Sequence, residues 1–401
     1  MTRRLAGSLL ALVLVATACS DDGSETSENT STGTETSVDS PPVPTTASTD
    51  STDSTVDADD LAVIPGEAFP DARCEANRAA GSISYLTGFD FAATASIIDV
   101  IVANDRNYYS ELCLDVDVAP SFSTANYPLV AANDAQFSSS GSFSELATFA
   151  ATNEADLVAL AVEGHVAIDG LMVKPEIESL EAIADTTIGV KGKLPPSIAA
   201  MLAEIGLVEG TDFDTLLLEG FDPLAHWEVE GVSSVPGWKS NEPGTLERAG
   251  VPFTLYDPAD FGIPGSFGLI YTNRSFLEDH PTAAEDFMRA TMRGLADAIA
   301  DPAGAAATAV ELINGGGNPN FLSPEGEMFR WETDARLITA TTPAGSHPGV
   351  PDPAGLAAEI AAYDAVGVYG DDGAPPVDGR FDADLVAGLY DADGTVIWPD
   401  G

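Results

Sequence analysis

Lysine is almost missing from this 401-residue chain: there are four, at positions 174, 191, 193 and 239, in a sequence with 64 acidic residues and a formal net charge of −48. A field of that sign repels nucleic acid and anionic membrane surfaces, so neither is expected as a partner. A heavily solvated acidic surface suits a salty habitat. Histidine is equally sparse, and His165, His226, His280 and His347 lack the spacing of metal ligands. No metal or other cofactor is expected. Of three cysteines, Cys74 and Cys113 sit outside any CxxC and away from histidine, which argues against redox catalysis. Also absent are GxxxxGK[ST], GxGxxG after a strand, GxSxG and HExxH. Paired carboxylates are too abundant to be informative, so the sequence predicts no enzyme.

The chain does begin with an address. Arg3 and Arg4 precede "LAGSLLALVLVATAC", too short for a permanent membrane span. Its "ATAC" end resembles the lipobox of bacterial lipoproteins, in which the cysteine, here Cys19, carries the lipid and becomes the new N-terminus. Two acyl chains are what stable anchoring needs; an ordinary cleaved signal peptide is the alternative. Cleavage after residue 18 leaves 14 basic against 64 acidic residues. Residues 19–72, Ser-, Thr-, Asp- and Pro-rich after Cys19 and free of lysine and arginine, are expected to form a disordered tether. Such a tether reaches on the order of 40 Å r.m.s.; a glycosylated stalk is the other reading. The expected location is the extracytoplasmic face of the cell membrane.

Residues 73–401 are long enough for two lobes with separate cores. "GSISYLTG", "CLDVDVAP", "AQFSSSG" and "DLVALAVEG" read as strands, with helices over 96–112 and in "SFSELATFAATN", where Ser142 and Glu145 form a capping box. "TIGVKG", "FDTLLLEG", "PFTLYD" and "GSFGLIYTN" continue the strand series. A helix follows Pro195–Pro196, another opens at Thr282 with Glu285 as its capping box, and "DPAGAAATAVELI" and "DPAGLAAEIAAYDAV" read as further helices. The alternation predicts an α/β protein of two lobes, each a mainly parallel sheet flanked by helices, with a helical C-terminal section. The expected bounds are 81–175 with 266–401 for lobe one and 176–265 for lobe two. Cys74 and Cys113 are either a disulfide or two free buried thiols.

The order of leader, tether, two lobes and helical tail resembles a solute-binding protein of an ABC importer. "GFDFAATASIIDVIVANDRNYYSELCLDVDV" (88–118), "SSSGSFSEL", "IGVKG" and "NEPGTLERAGVPFTLYDPADFGIPGSFGLIYTN" resemble one family of these. That family binds thiamine-pyrimidine precursors, riboflavin, nitrate, sulfonates and taurine, with the periplasmic-binding-protein type 2 fold. The resemblance covers about residues 83–312 and stops short of the segment after 315. The cysteine-rich motif of the family's enzymatic relatives is missing.

The resemblance implies a small-molecule ligand between the lobes, a permease with its ATPase as partners, and a monomer. On lobe one it points to Phe91, Ala92 and Thr94, and to Ser139, Ser140, Gly141, Ser142 and Phe143 at a helix start whose N–H groups suit a polar or anionic group. Capping alone equally explains Ser142. Glu163 and His165 end a strand near the lobe crossover, as ligand groups or as a solvated hinge. On lobe two, Lys191 sits where a strand passes into a helix, and Asn241 and Glu242 of "NEP" face the cleft. Trp227, Trp238 and Tyr256 are stacking candidates or core. Clustering of all four lysines in 174–239 suggests cations that offset repulsion of an anionic or electron-rich solute. A nitrogen heterocycle is the leading expectation, with a sulfonate, taurine or nitrate as the alternative; a ligand sensor or an enzyme on the same scaffold are the rivals.

Overall fold

The computed structural model describes residues 58–220, 222–317 and 323–400. Cys19 and residues 19–57 of the expected tether lie outside the described residues. The tether does not extend to residue 72. Leu61 accepts a hydrogen bond from Arg73, Ala68 bridges to Asp400, and Phe69 packs on the core. The apolar residues of "LAVIPGEAF" supply that burial, which the preceding Ser/Thr-rich stretch lacks.

The first sheet is built from β1 (Ser82–Leu86), β2 (Asp115–Ala119), β3 (Phe137–Ser140), β4 (Leu157–Gly164) and β10 (Phe267–Asn273), in the order β2-β1-β3-β10-β4. The second contains β5 (Asp169–Val173), β6 (Thr187–Val190), β7 (Asp214–Leu217), β8 (Val232–Trp238) and β9 (Thr254–Tyr256), in the order β7-β6-β8-β5-β9. β1 runs parallel to β2 and β3, and β10 antiparallel to β3 and β4. β6 runs parallel to β7 and β8, and β5 antiparallel to β8 and β9. Each sheet is therefore half parallel and half antiparallel. The antiparallel pairs arise because the chain crosses between sheets twice, and the first strand after each crossing inserts between two others. This corrects the lobe boundary: β5, expected in lobe one, belongs to the second sheet, so the first crossover lies between Gly164 and Asp169. β4 and β10, buried at every position because both faces are covered, are mainly apolar, with Glu163, Thr272 and Asn273 as polar exceptions.

Helices cover the sheets. α1 (Asp71–Ala79), α2 (Ile98–Asp105), α3 (Tyr108–Glu111), α4 (Ser123–Ala131) and α5 (Phe143–Thr152) belong with the first sheet. The single helix expected over 96–112 is two, because Asn107 takes a left-handed conformation (φ 62°). α6 (Pro196–Glu204), α7 (Pro223–Trp227) and α8 (Glu242–Arg248) cover the second sheet. The tail comprises α9 (Arg274–Asp279), α10 (Pro281–Ala300), α11 (Pro302–Gly316), α12 (Pro324–Thr341), α13 (Pro353–Ala365) and α14 (Ala383–Ala387). α10 starts one residue before Thr282, which makes no cap; Glu285 pairs instead with Arg73 and Arg289. Trp331 of α12 is fully buried in the first lobe's core, its indole N–H donating to the Ala298 carbonyl.

α1 is clamped to this lobe by a disulfide, Cys74–Cys113, and by Arg73, whose guanidinium meets Asp286 of α10 through Nε at 2.6 Å and Nη2 at 3.0 Å. The disulfide closes a loop with a sequence separation of 39. Replacing both cysteines by alanine is expected to cost roughly 4 kcal/mol in the chain-entropy model. Denaturant unfolding of the double variant beside the oxidised protein checks this; an unchanged midpoint would show that the clamp holds without the bond.

Candidate functional site

The loops after the carboxyl ends of β1, β2 and β3 meet the end of β8 around a cavity of about 210 Å³. Such crevices are where open α/β sheets bind ligands. Gly88 and Phe89 follow β1, Phe122 and Ser123 follow β2, and Ser139, Ser140 and Gly141 end β3. Thr94 to Ile97 form one wall, and Ile168 and Trp238 bring in the second lobe. The wall at Gly268 needs glycine: φ is +66°, and a Cβ there would stand 2.6 Å from that of Ala95.

Four aromatic rings, those of Phe89, Phe122, Trp238 and Phe267, dominate the apolar lining. Phe89 and Phe122 meet edge to face with centroids 5.6 Å apart. Phe122 is 45% exposed and Trp238 36%, high values for side chains of their size. The polar lining is mostly hydroxyl: Thr94, Ser96, Ser123, Thr124, Ser139 and Ser140. Glu145 is the one ionisable side chain among the described lining residues. Ser123 donates to its carboxylate at 3.2 Å. Burial pushes its pKa up, against the lowering influence of Tyr127 and Ser123 hydrogen bonds and, more weakly, of Lys193.

Of the residues singled out in the sequence, Thr94, Ser139, Ser140, Gly141 and Trp238 border this cavity. Others do not. Ala92 is buried and Phe91 packs against the core. Ser142 is the N-cap of α5, accepting from the Glu145 N–H at 3.3 Å, and Phe143 is fully buried behind it. The donors expected to hold an anion at this helix start are already taken. Phe143 N–H donates to Ser266 and Ser144 N–H to Glu359, both at 2.9 Å. Glu163 lies in the core, one oxygen accepting from the Ser96 N–H at 2.9 Å. His165 stands just past β4, its backbone N–H donating to Thr341, and burial lowers its ring pKa.

The second lobe departs further from expectation. Lys191 pairs with Glu242, whose other oxygen accepts from the Trp238 N–H at 2.8 Å. Glu242 thus holds the backbone at Trp238 and neutralises a lysine. Lys239 is held by Asp257 at 2.8 and 3.0 Å. Lys174 lies 5.9 Å above the Trp227 ring, and that ring belongs to the second lobe's core. Tyr256 packs on the core under β9. Asn241 stands at the N-cap of α8 without capping it; its Oδ1 accepts from Arg330 at 2.9 Å. Lys174, Lys191 and Lys239 therefore serve the second lobe's own carboxylates and core, while Lys193 is exposed and its charge reaches Glu145 at the cavity. Phe89, Phe122, Ser123 and Glu145 were not anticipated. Their signal was positional, since each lies in or just beyond a loop after a parallel strand, like the Ser139 group that was found.

A protein-family model described as NMT1/THI5 like matches residues 94–305, more than half of the chain. The chain belongs to the NMT1/THI5-like family. Thr94, Ser139, Glu145 and Trp238 fall within the match. Among curated proteins, the riboflavin-binding protein RibY of Chloroflexus aurantiacus is 29% identical over 127 residues, 31% of this chain and 36% of that one. The match thus spans about a third of its relative's length. Among solved structures, the periplasmic sulfonate-binding protein SsuA of Methylobacillus flagellatus KT aligns with a TM-score of 0.55 at 14% identity. That alignment covers 77% of this chain and 93% of SsuA. The alkanesulfonate-binding protein SsuA from Xanthomonas axonopodis pv. citri, bound to MOPS, aligns at 0.50 and 13% identity over 72% and 91%. At these identities the likeness is one of fold, and it places this member of the family in the periplasmic-binding-protein fold.

Proposed function

We propose that this chain is the extracytoplasmic solute-binding component of an ABC importer, lipid-anchored through Cys19, that captures a small, uncharged or weakly basic nitrogen heterocycle and delivers it to a permease. The observation that carries the solute class is the cavity lining: aromatic rings, six hydroxyls and one carboxylate, with no lysine or arginine. An alkanesulfonate or nitrate needs donors or cations at its oxygens. Here two N–H donors at the start of α5, Lys191 and Lys239 already have partners within the protein. A ring with N–H and ring-nitrogen groups can stack on Phe122 or Trp238 and exchange hydrogen bonds with Glu145 and the serines. A volume of about 210 Å³ is below the 300–1,000 Å³ typical of sites for drug-sized ligands. That favours a single-ring solute, such as a thiamine-pyrimidine precursor, over a flavin.

A thermal-shift screen of the mature chain against pyrimidines, riboflavin, alkanesulfonates, taurine and nitrate tests this. A solute at 100 times its Kd adds about 2.7 kcal/mol to stability. A shift confined to single-ring heterocycles, with the solute recovered unaltered, is the expected result. A shift from sulfonates or nitrate alone overturns the solute class, and a chemically changed solute overturns the binding reading.

A further inference from the structure

A buried chain of polar contacts leads from the second lobe to the cavity wall, and its middle links stand on α12. Arg330 Nη2 donates across the lobes to Asn241 Oδ1 at 2.9 Å, while its Nη1 donates to Glu327 at 2.5 Å. The other oxygen of Glu327 accepts from the Ala93 N–H at 2.8 Å. Two turns on from Glu327, Asp334 accepts from the Thr94 hydroxyl at 2.6 Å and from the Ala95 N–H at 3.0 Å. Thr94 and Ala95 line the cavity. Glu327, Arg330 and Asp334 are all buried.

Residues 91–97 form no helix or strand, so their backbone donors need partners from elsewhere. α12 supplies two of them as carboxylates, the stronger kind of acceptor. The same helix also holds the second lobe by packing. Phe329 lies against Gly244 so closely that a Cβ there would be 2.4 Å from the ring, and Arg248 lies 5.8 Å from its centroid. α12 begins at Pro324, beyond the family match that ends at residue 305.

We infer that Glu327, Arg330 and Asp334 are positioning residues for solute capture: they set the cavity wall at 93–97 and, through Asn241, tie that wall to the second lobe, so that ordering the wall and closing the lobes are one event. The tie itself is independent of which solute binds; its effect on capture rests on the importer reading.

Asn241→Ala in the mature chain removes the second-lobe acceptor and leaves the Glu327–Arg330 pair intact. Three readouts apply, with Asn241→Asp, which keeps an acceptor for Arg330, as the conservative variant. Without solute, the distance between spin labels at Thr152→Cys and Leu217→Cys, both exposed, is expected to broaden toward longer separations. Amide exchange at Ala93 and Ala95 is expected to quicken about tenfold. With the solute that gives the largest thermal shift, dissociation is expected to rise about tenfold with association nearly unchanged. Asn241→Asp restores all three. An unchanged distance distribution or unchanged exchange at Ala93 and Ala95 overturns the tie, and an unchanged off-rate overturns its part in capture. A screen in which no solute binds removes the importer reading while the two solute-free readouts still decide the tie.

Discussion

Glu145→Ala is expected to weaken solute binding by about a hundredfold while leaving the fold intact. The carboxylate is the one ionisable group in the described lining, and its Ser123 hydrogen bond holds it in place beside the cavity. A hydrogen bond to a charged partner contributes about 1.5–3 kcal/mol, and 2.7 kcal/mol is two decades in Kd. Burial already disfavours the ionised form of Glu145, so its removal should relieve a cost in the empty protein. Titration with the best single-ring heterocycle of the screen, followed through Trp238 fluorescence, checks this. Glu145→Gln should fall between wild type and alanine, because the amide retains one acceptor. Equal affinity in all three proteins would remove Glu145 from the site and, with it, the chemical argument for a heterocycle.

Stability is expected to fall as pH rises from about 5 to 8, by a few kcal/mol. Buried carboxyl groups with raised pKa set the sign, among them Asp99, Glu163 and Glu359. Asp99 and Glu163 share the core beneath the cavity wall, where their carboxyl groups interact with each other. Burial raises Asp99 to about 6, and burial with the neighbouring Asp99 charge pushes Glu163 well above the usual range. Glu359 is raised to about 6, again by burial. The folded state therefore holds these protons at pH values where the unfolded chain has lost them. Their stabilising effect is complete below the unfolded pKa, near 4, and is lost as pH climbs through about 6 and, for Glu163, beyond. Mutual repulsion in a chain of charge −48 acts in the same direction. Urea midpoints measured across that range check the slope, and Glu163→Gln should flatten it. A midpoint that rises with pH would mean that the ionised forms are accommodated in the core.

The sequence was most legible where one local rule acts alone. Ser142 and Glu145 announced the start of α5, Asp301 and Asp352 stand where N-caps belong, and the apolar runs became β4 and β10. Period and capping are properties of neighbours along the chain, so no tertiary information was needed. Asn241 shows the limit of that reasoning: a good capping residue in a capping position, it spends its side chain on Arg330, 89 residues away. β5 shows the same limit for strands, because an apolar run carries no mark of which sheet will pair with it.

By itself, then, the amino-acid sequence determined the α/β class, the two-lobed plan, the family and the stretches of loop from which a binding site would be made. Only the tertiary structure decided which of those residues meet. It engaged Lys191 and Lys239 with the second lobe's own carboxylates and set Lys174 over its core, so that a cluster suggestive of anion binding leaves no cation in the described cavity lining. It also brought Glu145 to the cavity and α12 to both lobes. The physical reason is common to all three. A charged side chain near a core takes the nearest complementary group, and which group is nearest depends on packing between segments far apart in the chain.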